Sequence, residues 1–117
     1  MYKNRDIEDY IDDILIAISD IETFIKDMSY DKFEQDKKTI NAVIRSLEIL
    51  GEATKRIPKP VRQKHPDIPW NKMAGMRDVL IHDYMGVDLM TVWKVARERL
   101  PALKPMLEGL TMREKDT

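Results

Sequence analysis

Between residues 4 and 28 the apolar positions fall at alternating steps of four and three: Ile7, Ile11, Ile14, Ile18, Ile21, Ile25 and Met28. A repeat of this kind places every member on one side of an α-helix. Tyr10, Leu15, Ala17 and Phe24 widen the seam into a face suited to several neighbours, while Asp9, Asp12, Asp13, Asp20 and Asp27 keep the other side in water. Ser29-Tyr30-Asp31 then brings turn and capping chemistry, and Asp31 with Glu34 three residues later resembles a capping box. A second helix is predicted from there, with Phe33, Ile40, Val43, Leu47, Leu50 and Ile57 inward, stopped by Pro58 and Pro60.

Residues 58–69 read as a proline-rich connector with one short helical turn around Val61 to Lys64. Pro69 suits the first position of a third helix running from about Trp70 to His82, with Trp70, Met73, Met76, Val79 and Leu80 inward and Gly86 beyond its end. Asp88 is a good N-cap for a fourth helix containing Leu89, Val92, Trp93, Ala96 and Leu100, which Pro101 and Pro105 must kink or restart. Strand-type alternation is absent, so the fold class is all-α. The pattern predicts an up-and-down four-helix bundle with one short extra helix or turn, its apolar faces wide enough for a twofold dimer. Residues 1–110 form a single domain in this reading, and residues 111–117 a flexible tail.

A chain of 117 residues supports one hydrophobic core. Cysteine is absent, which excludes disulfides, thiolate catalysis and thiolate metal sites. The two histidines, His65 and His82, are too far apart in sequence to suggest a metal site, so no metal and no cofactor are expected. His65, between Lys64 and Pro66, reads as a surface loop residue. No apolar run approaches the length of a membrane span, and a soluble, cytoplasmic protein is expected.

The net charge of −1 hides an uneven distribution: residues 6–36 hold eleven acids against two lysines, residues 37–117 sixteen basic residues against ten acids. Lys55, Arg56, Lys59, Arg62, Lys64 and Lys72 form a basic cluster just before the Arg77 segment. It could guide a phosphate backbone, or be a solvated lysine-rich loop. A polar stripe on the second helix, Asn41, Arg45, Glu48 and Glu52, has two readings as well: the lining of a cleft in which Arg45 meets a phosphate, or a salt-bridged solvent face.

The densest chemistry is in Arg77-Asp78-Val79-Leu80-Ile81-His82-Asp83-Tyr84. Arginine can hold a phosphate through two parallel hydrogen bonds, and histidine, unperturbed near pKa ~6.5, exchanges protons at physiological pH. At about 100° per residue Arg77 and His82 lie roughly 140° apart around a helix, flanking a groove rather than stacking. Asp78 is four residues before His82 and on its face, placed to fix the imidazole, and the helix macrodipole near a C-terminus favours protonated histidine. Metal-free RNA cleavage needs such a set, although a charge-paired helix end with a capping histidine accounts for the same residues.

Three separated pieces support this segment: Arg45-Ser46-Leu47-Glu48-Ile49-Leu50-Gly51-Glu52-Ala53, then Ile68-Pro69-Trp70 leading into Met76-Arg77-Asp78, and Val87-Asp88 leading to Val92-Trp93. With them, and over about residues 5 to 110, the chain resembles the HepT-like branch of the HEPN superfamily, small all-helical toxins marked by Arg, a polar residue, three further positions, His, any residue, Tyr. The resemblance implies a metal-independent endoribonuclease encoded beside a minimal nucleotidyltransferase antitoxin. In that reading His82 deprotonates a ribose 2′-hydroxyl and Arg77 stabilises the transition state, while Asp78, where Asn is also common in the family, orients His82. A homodimer brings two copies of His82 to one cleft. Tyr84 is the implied target of AMP transfer by the antitoxin, the added anion blocking the RNA site. Lys55, Arg56, Lys59, Arg62, Lys64 and Arg45 are the accompanying candidates for RNA contact. The rival reading is a noncatalytic helical module that binds nucleotide or docks a nucleotidyltransferase.

Overall fold

The computed structural model describes the backbone of residues 4–83 and 88–115 and the side chains of residues 7–76 and 88–110. It is all-α, with no strand among the described residues. Among the described residues seven α-helices follow in order: α1 Asn4–Phe24, α2 Tyr30–Gln35, α3 Lys37–Lys55, α4 Lys59–Lys64, α5 Trp70–Asp83, α6 Leu89–Lys94 and α7 Leu100–Lys115, with a π-helical turn, Val95–Arg99, between the last two.

The isoleucine seam of α1 is the centre of the core. Ile7, Ile11, Ile14, Ile18, Ile21 and Ile25 are all buried, and Met28 packs against them half-buried. Burying one such side chain contributes roughly 1.5–3 kcal/mol before the entropy of ordering it is subtracted. The seam is shared: α1 packs against α3 on one side and α7 on the other, and α3 in turn carries α5. α1 ends short of residue 28 because Asp27 adopts a left-handed φ of 61°, the conformation in which a chain leaves a helix.

The second predicted helix is two. Asp36 sits at φ −107°, ψ 87°, outside the helical region, and closes α2 while capping α3. Its carboxylate accepts from the Thr39 backbone N–H at 3.0 Å and from the Thr39 hydroxyl at 2.8 Å. The cap of α2 is Ser29, whose hydroxyl accepts from the Lys32 N–H at 3.3 Å, and not Asp31. An aspartate whose side chain can satisfy two donors offers the backbone a better end than another helical turn. Phe33 is the one buried residue of α2, and its ring meets Trp93 of α6 at 5.2 Å between centroids.

Asp88 caps α6, as the spacing predicts, accepting from the Met90 N–H at 3.1 Å and the Thr91 hydroxyl at 2.8 Å. The first proline after it, Pro101, is accommodated by the π-helical turn. The Leu100 N–H reaches back to the Val95 carbonyl, and the widened turn accommodates Pro101, which has no N–H to offer. α7 then restarts and keeps Leu100, Leu103, Leu107 and Leu110 buried, with Pro105 inside it on the exposed side.

The Asp36 carboxyl is held below the ordinary aspartate value by its bonds from Thr39, and Asp88 likewise by the Thr91 hydroxyl. A depressed folded value means that ionisation stabilises the fold above the unfolded pKa, about 3.9 for aspartate, and that this contribution is lost as pH falls through the lower folded value. Asparagine caps without titrating. The double variant Asp36→Asn/Asp88→Asn is therefore expected to flatten the acid limb of Tm against pH below about pH 4, and thermal melts from neutral to strongly acid pH check it.

Candidate functional site

α5 carries the Arg77–Tyr84 segment as far as Asp83, and its start is built by the connector before it. The Trp70 indole N–H donates to the His65 carbonyl at 2.9 Å, and Trp70 and Met73 are buried against α3, with Met76 half-buried beside them. His65, expected on the surface, is half-buried. The backbone of Arg77, Asp78 and His82 lies in one uninterrupted helix, so the five-residue spacing is a helical spacing. Their side chains, and Tyr84 together with Gly86, lie outside the described residues.

The basic cluster does not stay together. Arg45 and Arg56 line a cavity of about 370 Å³ between α1 and α3, together with Tyr10, Asp13, Glu48 and Glu52. The α3 stripe lines this cavity from Arg45 to Glu52, and Arg45 also pairs with Glu48 at 3.2 Å, as the salt-bridged reading has it. Three carboxylates against two guanidiniums make this cavity a poor seat for a phosphate. Lys59, Arg62 and Lys72 line a second groove, of about 460 Å³, between α4 and the start of α5. Lys64 borders a smaller cavity beside His65 and Asp67, and Lys55 is exposed near the end of α3.

Arg62 has a structural duty that its place in a run of cations does not disclose. Its Nε donates to the Ile57 carbonyl and one terminal nitrogen to the Lys55 carbonyl, each at 3.0 Å, closing the C-terminal end of α3. Replacing it with alanine leaves those carbonyls without the charged fork and is expected to cost about 1–3 kcal/mol in urea unfolding. Lysine, a single point donor, is expected to recover little of that. A loss of RNA affinity in Arg62→Ala must therefore be read beside its melting curve.

Among the described residues, no group of three or more His, Cys, Asp or Glu is placed to hold a metal ion. No described helix is long and apolar enough to cross a membrane. Asp9, Asp12, Asp13 and Asp20 are exposed on α1, with Ile16 (57 % exposed) and Phe24 also exposed on that helix, and Asp27 is exposed in the turn that follows it.

Residues 14–110 match the family model described as ribonuclease HepT-like. The chain is 50 % identical over 106 residues to the probable ribonuclease HepT of Thermococcus cleftensis, covering 91 % of this chain and 96 % of that one. It is also 50 % identical over 106 residues to the candidate RNase MJ0125 of Methanocaldococcus jannaschii, covering 91 % of each. With the candidate RNase TTE0752 of Caldanaerobacter subterraneus it shares 38 % over 106 residues, covering 91 % of this chain and 95 % of that one. No solved structure gives a significant match. The family model covers the core helices and the α5 segment together, and the chain belongs to the HepT-like family of HEPN-type ribonucleases.

Proposed function

We propose that this protein is the toxin of a toxin-antitoxin pair and acts as a metal-independent endoribonuclease. The observation that carries the reading is that Arg77 and His82 stand on one continuous helix, α5, in a chain of a ribonuclease family. His82 removes the proton of a ribose 2′-hydroxyl, whose oxygen attacks the adjacent phosphorus. Arg77 binds the charge that grows on the phosphoryl oxygens, and the 5′-oxygen leaves with a proton, giving a 2′,3′-cyclic phosphate end. Asp78 orients the imidazole.

Transphosphorylation benefits from a base and an acid, and the chain offers one motif histidine. A twofold dimer of four-helix bundles supplies the second from its other copy. Regulation follows from the phenol: a partner nucleotidyltransferase joins the Tyr84 oxygen to the α-phosphorus of ATP, pyrophosphate leaves, and the new anion repels RNA and competes for Arg77. The setting is the cytoplasm, and residues 111–117 form a tail outside the functional domain.

The test is incubation of purified protein with total RNA in excess EDTA, after intact mass has shown that no AMP is attached. Cleavage leaving 2′,3′-cyclic phosphate ends is expected, and intact RNA would overturn the reading. The second reading, a noncatalytic docking module, is favoured by the exposed acidic face of α1 with Ile16 and Phe24, which suits a basic partner. Partner binding without cleavage by the unmodified protein would establish it.

A further inference from the structure

The groove between α4 and the start of α5 differs from the other large cavity in the sign of its charge. Lys59, Arg62 and Lys72 line it, and among the described residues no Asp or Glu does. Lysines 59 and 72 are exposed, whereas the Arg62 guanidinium is fixed in place by its bonds to Ile57 and Lys55. A cation already immobilised loses little freedom when a phosphate arrives. The floor is apolar, with the rings of Pro66 and Pro69 accessible over the buried Ile68 and Trp70, and Gln63 and Asn71 add amide groups at the edge.

The same face of α5 continues into an opening. Gly75 lies four residues after Asn71 and three after Lys72, in the interior of the helix, and a Cβ built on it would meet nothing within 4 Å. Nothing in the described packing of the chain requires glycine there, although glycine is among the poorest helix formers. Its effect is to lower the wall of α5 by one side chain. Positions 71, 75, 78 and 82 follow one another at steps of four, three and four, so the backbone register carries this face from the groove to the position of His82, about 16 Å along the axis.

We infer that the α4–α5 groove and the open face at Gly75 form one track for single-stranded RNA flanking the cleavage site, an inference that rests on the nuclease reading. The cations hold the backbone, and an apolar floor offers a surface to an unstacked base, which a duplex does not present. The missing side chain at Gly75 lets the strand cross α5 close to the helix on its way to the reacting position. Lys59, Lys72 and Gly75 then determine preference for longer unpaired substrates without taking part in bond breaking.

The experiment compares the full-length parent with Lys59→Gln/Lys72→Gln and Gly75→Leu. Each is assayed on a ribodinucleotide and on an unstructured oligoribonucleotide of about a dozen nucleotides, with binding of the latter to each protein followed by fluorescence anisotropy. Both variants are expected to lower the ratio of kcat/KM for the oligonucleotide over the dinucleotide by about tenfold. The lysine pair should also reduce the slope of log affinity against log salt by about 1.4, two contacts at ~0.7 each for a single strand. Gly75→Leu should melt no lower than the parent, since open space receives the side chain.

Ratios and salt slopes equal to the parent's, beside a parent that cleaves, would overturn the track and leave the nuclease reading standing. A parent that cleaves neither substrate removes the nuclease reading, and the anisotropy then decides the groove by itself: unchanged binding by the lysine variant sinks it. Conversion of a parent dimer to monomers by Gly75→Leu would give that face to a second copy of the chain and likewise overturn the track.

Discussion

Replacing His82 by alanine is expected to slow RNA cleavage by about a thousandfold, within the range measured for loss of a positioned general acid or base. Arg77→Ala is expected to lose roughly as much, since a cation aimed at developing phosphoryl charge contributes on the order of a hundred- to a thousandfold. Arg77→Lys keeps the charge but gives up the planar two-point grip, so partial activity is the expected outcome. The effect is large because the site has few parts. One helix carries both groups, and no second His-bearing motif occurs in the chain to take over. The deciding comparison is the single-turnover rate on one oligoribonucleotide in EDTA, with each variant's melting temperature measured alongside. Parental rates in both alanine variants would end the assignment of the chemistry to this segment.

The largest effect on stability is expected from Phe33→Ala. Phe33 is fully buried, is the anchor of a helix of only six residues, and packs on Trp93, whose ring also meets Tyr30 edge-on at 6.2 Å and lies under the Arg97 guanidinium at 5.7 Å. Truncating a buried phenylalanine costs about 3–5 kcal/mol through lost transfer energy and the cavity left behind. Against a whole-domain stability of about 5–15 kcal/mol, that is a large share of the total. A fall in Tm of about 15 °C follows for a domain of this size. Urea unfolding of Phe33→Ala, Trp93→Leu and the double variant should show coupling of about 0.5–1.5 kcal/mol between the rings. A loss below about 1 kcal/mol for Phe33→Ala would mean that α2 contributes nothing to the fold. The contact of α2 with α6 also fixes the start of α6 after Asp88.

Periodicity made the core of α1 legible from the residues alone, because a seam at steps of four and three has one solution, a helix buried on that side, and Ile7 through Ile25 are buried accordingly. Pro69 before Trp70, Asp88 before Leu89 and the short turn near Val61 were equally plain, since caps and prolines act within one turn of chain. Asp36 was missed although its signal was present, an aspartate three residues ahead of Thr39, because the apolar spacing runs across it from Phe33 to Ile40 and hides the break. Which cations would share a surface was not legible. Arg45 and Arg56 fell in with the acids of α1 and α3, Arg62 was spent on closing α3, and Lys59 met Lys72 across a groove thirteen residues apart in sequence. Sequence spacing determined the helices and the placing of Arg77 and His82 on one of them, since both follow from dihedral angles and hydrogen bonds within a few residues. The neighbours of each polar side chain were decided by the tertiary structure, because they depend on how helices distant in the chain lie against one another once the isoleucine seam is covered.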